Sequence, residues 1–574
     1  MTAAWPFPSH RHPLWRTLGW VCIGTSLALT GVFMMQGPRR LKGQTGSGLF
    51  DPGMAGTRGS LSEAMGSGRM VLNYQTIEGT DEDLRLKGVT GQLLDSTGLW
   101  HLKSPSARRV DQAWTLDGPL DLSLVDGKGE DLGQGRMPGT GGAMLWRGGI
   151  WTGLQPLVWV SRQGAGSGEW HLPAGWTRQP DGRFEVEQGG ARWIAAGLGT
   201  LRSLDAAKLW ATPGFAEGHL EQAVATLDGG VIRAASADLD PEMVRWPAPL
   251  SFTRDDGWRG TAAGGEAPRP APGASFQQVE LRSFHADRAG QEGPEQLDAQ
   301  GARWTPAGMR LEGSVTWTQS YHGAPLKLQG PVVLMRNGAG EDLPKNLPVG
   351  HAMADGHPVL TWGGRSLTSP RMEVDRQTRR WKLEAPVLGR GVDGAFSGAA
   401  AEGTPAAWTI GGPVNLSLTG GGQLRGNQLL WEAGAWTLRG DPATWTRLRE
   451  RLSGPRIIRS GDRLDFPDGL QGAEAGADGD LTVRAAQGHG DDQSLLLSGG
   501  VACSGPGWRV EAPTVLVTFG PGRVVKAIHA SGGASLKGRY GEGKGEALDM
   551  ALPSGAPAVV RWQGRVRGEG ESSW

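Results

Sequence analysis

Apolar runs in this chain are short, and nearly every one is stopped by glycine, proline or a small polar cluster. That habit argues against long helices, whose apolar stripe must be sustained over about ten or more residues, and favours strands that turn again and again. The stretch WRVEAPTVLVTFGPGRVVKAIHASGGASLKG, Trp508 to Gly538, displays it. Val515, Val517 and Phe519 alternate with Thr514, Leu516 and Thr518, so the two sets fall on opposite faces of a strand. Val524, Ile528 and Leu536 continue the habit beyond GPG.

Glycine (95 residues) and proline (37) make up about a quarter of the 574 residues, a level at which disorder has to be weighed. The 25 tryptophans decide against it, because disordered segments are poor in aromatic residues. The expectation is an all-β protein with at least ~40% strand, against the ~20–25% of average domains. Lys+Arg and Asp+Glu are 58 each, and this balance excludes a general nucleic-acid binder with its basic stripe. Cys22 and Cys503 lie far apart in apolar runs, so no internal disulfide is expected and the redox compartment stays open.

Leu18 to Met35 carries no charge and is flanked by Arg11 and Arg16 before and Arg39, Arg40 and Lys42 after. Its length suits a single membrane-spanning helix, and no small-residue cleavage site follows it. The expected order is a cytoplasmic tail (1–17), a transmembrane helix (18–36), a Gly/Ser-rich tether (37–67) and an exported β region. Within that region the sequence divides into a first β unit (68–265), a linker at EAPRPAPGAS (266–275), a second unit (276–440), a short helix (441–454) and a third unit (455–568). The helix is read from Asp441 as N-cap, Pro442 at the first position, Gly454-Pro455 as the stop, and Trp445, Leu448 and Leu452 on one face. The segments 356–387 and 495–525 share a loose beat: an apolar strand, a glycine turn, a strand ending in SP or AP, and another strand.

No phosphate-loop, nucleophile-elbow or H-E-x-x-H pattern occurs. His351, Asp355 and His357 form one acid–histidine cluster and His489, Asp491 and Asp492 another, but neither supplies the four ligands of a structural zinc site. Most tryptophans sit inside apolar strands, as in LVWV and WKLEA, which points to core or groove lining over a sugar-stacking platform. No catalytic, metal or cofactor residue is expected.

Leu495 to Gly568 resembles the periplasmic lipopolysaccharide-transport proteins of the LptA/LptC (OstA-like) group. The resemblance rests on the glycine-valine turn Gly499–Val501, the strands Trp508–Phe519 and Val524–Gly532, the segment Gly545–Leu552, and the closure Gly564–Val566. The single N-terminal span followed by β segments looks like LptC. The chain is longer than a usual LptC and richer in glycine and tryptophan, and the pattern covers the earlier units only weakly.

The resemblance implies stacked, partly open antiparallel β-jellyrolls that shield acyl chains, and a conduit rather than an enzyme. The implied location is the inner membrane, with the bulk of the chain in the periplasm. Implied partners are lipopolysaccharide or a related glycolipid, an inner-membrane ABC transporter, and other β-jellyroll bridge proteins joined by edge-strand pairing. Alternation nominates Leu495, Leu497, Val515, Val517, Phe519, Ile528, Leu536, Leu548, Met550, Leu552 and Trp562 as the lipid-facing wall of the third unit. The competing expectations are an anchored carbohydrate-active or glycan-binding β protein and a ligand-free structural envelope protein.

Overall fold

A computed structural model describes residues 56–570, except 66–67, 81, 163–167, 196–200, 270–277, 291–292, 340–342, 393, 477–478, 540 and 554–557. The expected tail, membrane span and first part of the tether lie outside the described residues. No helix among the described residues is long and apolar enough to cross a membrane.

The described chain is all-β, and strand accounts for 74%. Its strands join one antiparallel sheet in which each pairs with its neighbours in sequence. Most strands are bent near the middle, and the two halves lie in different leaves. Glu450–Ser460 shows how: residues 450–453 pair with Leu470–Glu474, whereas residues 458–460 pair with Arg463–Phe466. Those two partners are one strand broken at its bend. Thirteen strands are broken in this way, so the 46 strand segments among the described residues amount to 33 strands. At about 4.8 Å per strand the ladder is about 150 Å in contour.

The bends are written in glycine and proline. Pro105, Pro119, Pro331, Pro413, Pro442, Pro455 and Pro513 all sit at residues the ladder skips, where proline's missing N–H costs no pairing. Facing Pro513, the neighbouring strands carry Gly499-Gly500 (φ 81° and 79°) and Gly532-Gly533 (φ 82° and 98°), a left-handed backbone that favours glycine. The extra residues also reset the side-chain phase. Val510 and Ala512 are buried before Pro513, and Val515 and Val517 after it, so both halves turn their apolar residues inward.

Two expectations are corrected here. Residues 441–454 are not a helix: Ala435–Arg447 and Glu450–Ser460 are paired strands of a hairpin. Trp445 and Leu452 look like one helical face because they are cross-strand partners that both point inward, while Leu448 sits at the hairpin tip and is 83% exposed. Pro442 and Pro455 occupy bends, not helix ends. The end of the expected tether is also ordered, since Gly56–Met65 pairs with Gly68–Gly79; ladder bonding outweighs its flexible composition.

The first residues of the expected linker, Glu266 to Pro268, belong to the strand Gly264–Pro268. That strand pairs onward with Val279–Gly290, so the ladder carries across this point. The inward residues form one buried cluster running the length of the described chain. A small satellite of Ala307, Leu334, Leu343, Leu347 and Met353 stands beside it.

Candidate functional site

The strands Ser494–Gly505, Trp508–Phe519, Val525–Gly538, Gly541–Ala551 and Val559–Gln563 follow one another in register. Register lines up Leu495, Val517, Ile528, Met550 and Val560 in one cross-strand row, and Leu497, Val515, Ala530, Leu548 and Trp562 in the next. Leu495, Leu497, Val515, Val517, Ile528, Leu536, Leu548 and Met550 are buried, and Phe519, Leu552 and Trp562 are partly buried against the same cluster. Leu536 belongs to the opposite leaf, paired with Val510 across the bend.

Four of these residues, Leu495, Val517, Phe519 and Ile528, line an apolar cleft between the leaves. The facing wall is built by Leu452, Leu481, Val483, Cys503 and Trp508, none of which the sequence reading nominated. Leu452 was hidden inside the supposed helix. Leu481, Val483, Val501 and Cys503 do carry an alternation signal, but the short runs in DGDLTVRAA and GGVACSG give no sign of which wall they face. The void is about 50 Å³, room for only a few waters.

Glu450 and Glu474 form the polar lip of the cleft. Arg523, at the tip between two strands of the second leaf, donates to Glu450 through Nε at 2.8 Å and Nη2 at 3.2 Å. It also reaches the Asp491 carbonyl at 2.5 Å and Asp492 Oδ1 at 3.3 Å, and lies 4.2 Å from the Phe519 ring centroid. This buried pair ties the rim of one leaf to the rim of the other. Burial raises the carboxyl pKa of Glu450 above its usual value despite the opposing pull of Arg523. Burial does the same to Glu474, reinforced by the charge of Glu450. Cys503 is pushed up to about 12 by burial, so it faces the cleft as a neutral thiol and not as a nucleophile.

The two acid–histidine clusters are engaged in pairs on strand surfaces. His351 contacts Glu373 at 2.7 Å, and Asp355 accepts from Arg371 at 2.6 Å. His489 contacts Asp465, Asp491 accepts from the backbone of Gln493 and Ser494, and Asp492 pairs with Arg447 at 2.7 Å. No group of three such side chains among the described residues could hold a metal ion.

No family model matches the chain, and no curated protein matches it.

Proposed function

We propose that this chain is a lipid-handling component of the bacterial envelope, a membrane-anchored β-jellyroll scaffold of the LptA/LptC kind. It passes lipopolysaccharide or a related glycolipid from an inner-membrane ABC transporter toward the outer membrane, along the apolar space between its two leaves. The observation that carries the reading is the cleft: four nominated wall residues meet five apolar or weakly polar residues of the opposite leaf behind one buried ion pair. A void of about 50 Å³ holds no acyl chain, so loading requires the leaves to part at that ion pair. Each methylene sheltered there is worth about 0.8 kcal/mol, enough over several carbons to offset the opening. Among the described residues, Gly56–Met65 at one end and Val559–Gln563 with Arg567–Gly570 at the other pair on one side only, and such edges suit a further jellyroll partner.

A photo-crosslinker at position 517 of the full chain in cells should label glycolipid, while one at the opposite-face position 518 should not. Equal labelling, or none in a folded protein, would favour a ligand-free strut. The specific support for that second reading is the filled interior elsewhere: Trp100, Trp146, Trp151, Trp159, Trp170 and Trp193 are at most 1% exposed. The same burial weighs against a sugar-stacking platform, which needs exposed indole faces.

A further inference from the structure

Midway along the chain, strand ends of the two leaves enclose a second, polar pocket of about 360 Å³, lined by Asp256, Arg288, Glu295, Gln319, Gly350 and Arg376 among others. Arg376 is 8% exposed. Its Nε donates to the Gly350 carbonyl at 3.1 Å, and its Nη2 donates to the Arg336 carbonyl at 3.3 Å and to Asn337 Oδ1. Its Nη1 is buried with no partner.

The nearby carboxylates are already engaged. Glu295 accepts from Arg288 at 2.8 Å and from Gln319 at 3.3 Å, and Asp256 accepts from Arg254 at 3.2 Å and from Asn337. Arg254, 5% exposed, also has a buried Nη1 without a partner. Arg288, Arg376 and Arg379 line the pocket together with Asp256 and Glu295, and Arg254 lies behind Asp256. Burial, then the charge of Arg288, brings Arg376 down to about 10, still cationic at neutral pH.

We infer that this pocket binds a phosphate group, held by the guanidinium groups of Arg288 and Arg376 that line it. A guanidinium is a strong partner for a phosphate oxygen, and a buried cation with an unmet donor favours an anion beside it. A phosphate of either source, free or on a lipid headgroup, has this chemistry. The pocket lies away from the apolar cleft, so this inference and the lipid reading can fail separately.

The test is calorimetric titration of the full-length protein at low ionic strength with two probes, inorganic phosphate and soluble dihexanoyl phosphatidic acid. Saturable binding weakened about tenfold or more in Arg376→Gln, and unchanged in the outer-face control Arg259→Gln, is the expected result. Equal affinity for the two probes assigns the pocket to small anions, and a clear preference for the lipid assigns it to headgroups. If Arg376→Gln does not fold, Arg288→Gln replaces it, because that side chain is 21% exposed, and should weaken binding several-fold. Absence of saturation with either probe below about 10 mM, or wild-type affinity in the folded Arg variants, overturns the proposal.

Discussion

The region around residues 98–258 and the region around residues 450–563 share one backbone scheme and fill it differently. In the first, indoles bridge the leaves: Trp100 meets Trp151 of the other leaf with ring centroids 4.9 Å apart, and Phe184 stacks on Phe215 at 5.0 Å. At the rim there, Arg178 pairs with Asp95 at 2.5 Å and lies 4.8 Å from the Trp100 centroid. In the second region the inward residues are mainly Leu, Val, Ile and Met, and a cleft remains behind the Glu450–Arg523 pair. The size of the inward side chains thus decides whether a bent strand pair closes on a solid core or keeps an apolar gap. Filling carries a cost as well. The indole N–H groups of Trp146, Trp151, Trp159, Trp170 and Trp193 are buried without an acceptor, and a buried unmet donor is destabilising.

The largest expected effect tests that filling. Trp159→Ala should cost about 3–5 kcal/mol through the cavity it leaves. Val517→Ala, which removes two methyl groups beside an existing gap, should cost only about 1–2 kcal/mol. Hydrogen exchange resolved by region reads both, with the loss confined to the mutated region. Equal costs would erase the distinction between a plugged and a cleft-bearing interior.

The rim of the filled region comes next. Arg178→Ala leaves the 5%-exposed Asp95 side chain charged and buried, a loss of about 3 kcal/mol. The double variant Asp95→Leu with Arg178→Met should recover most of it. Denaturant titration of the three variants decides; a double variant no better than the single would mean that the pair's other contacts, such as the 3.2 Å bond from Arg178 to Thr97, dominate.

These features were unequally legible. Strand content and the Leu495–Val517–Ile528–Met550 wall follow from alternation within runs, because alternation is local. The bends were visible as SGG and AP but read as hairpin ends, since glycine and proline punctuate a corner inside a strand and a turn between strands alike. The helix at 441–454 failed for a related reason: Trp445 and Leu452 are spaced as on a helix, yet face each other across a hairpin. The facing wall and the rim pairs were out of reach. Asp95 and Arg178 are 83 residues apart, and Glu450 and Arg523 are 73 apart. Only the accumulated register of the intervening strands brings them together.

Overpacking should separate the two interiors at a smaller scale. Leu157→Phe adds volume beside a filled aromatic cluster and should cost about 1–3 kcal/mol. Val517→Ile adds one methylene next to a void of about 50 Å³ and should be within about 0.5 kcal/mol of neutral. If the cleft holds acyl chains, Val517→Ile should also lower crosslinking to lipid from a neighbouring wall position such as 495. A penalty for Val517→Ile as large as that for Leu157→Phe would mean the second interior is as tight as the first.

The smallest effect is one of sign with pH. In the first region Asp126 accepts backbone N–H bonds from Glu130 and Lys128, each at 2.8 Å, and these hold its carboxyl below the usual range. Its folded pKa is depressed, so its stabilisation is present above the unfolded value and is lost as pH falls through the folded one. Asp126→Asn should therefore reduce local stability at neutral pH and make no difference in strong acid. Glu474, on the lip of the cleft, is the reverse. Burial raises its folded pKa, so the folded state holds the proton more tightly, and stability falls as pH rises from the unfolded value through the raised one. Glu474→Gln keeps an acceptor for the Val525 N–H, which donates to Glu474 Oε2 at 3.3 Å, and removes the ionisation. It should be more stable than the native chain at pH ~8 by less than about 1 kcal/mol, with the gain gone below pH ~4. Exchange rates for Val525 and its neighbours across this range measure it. The same pH slope for both variants would show that the two regions do not differ in how they treat charge at their rims.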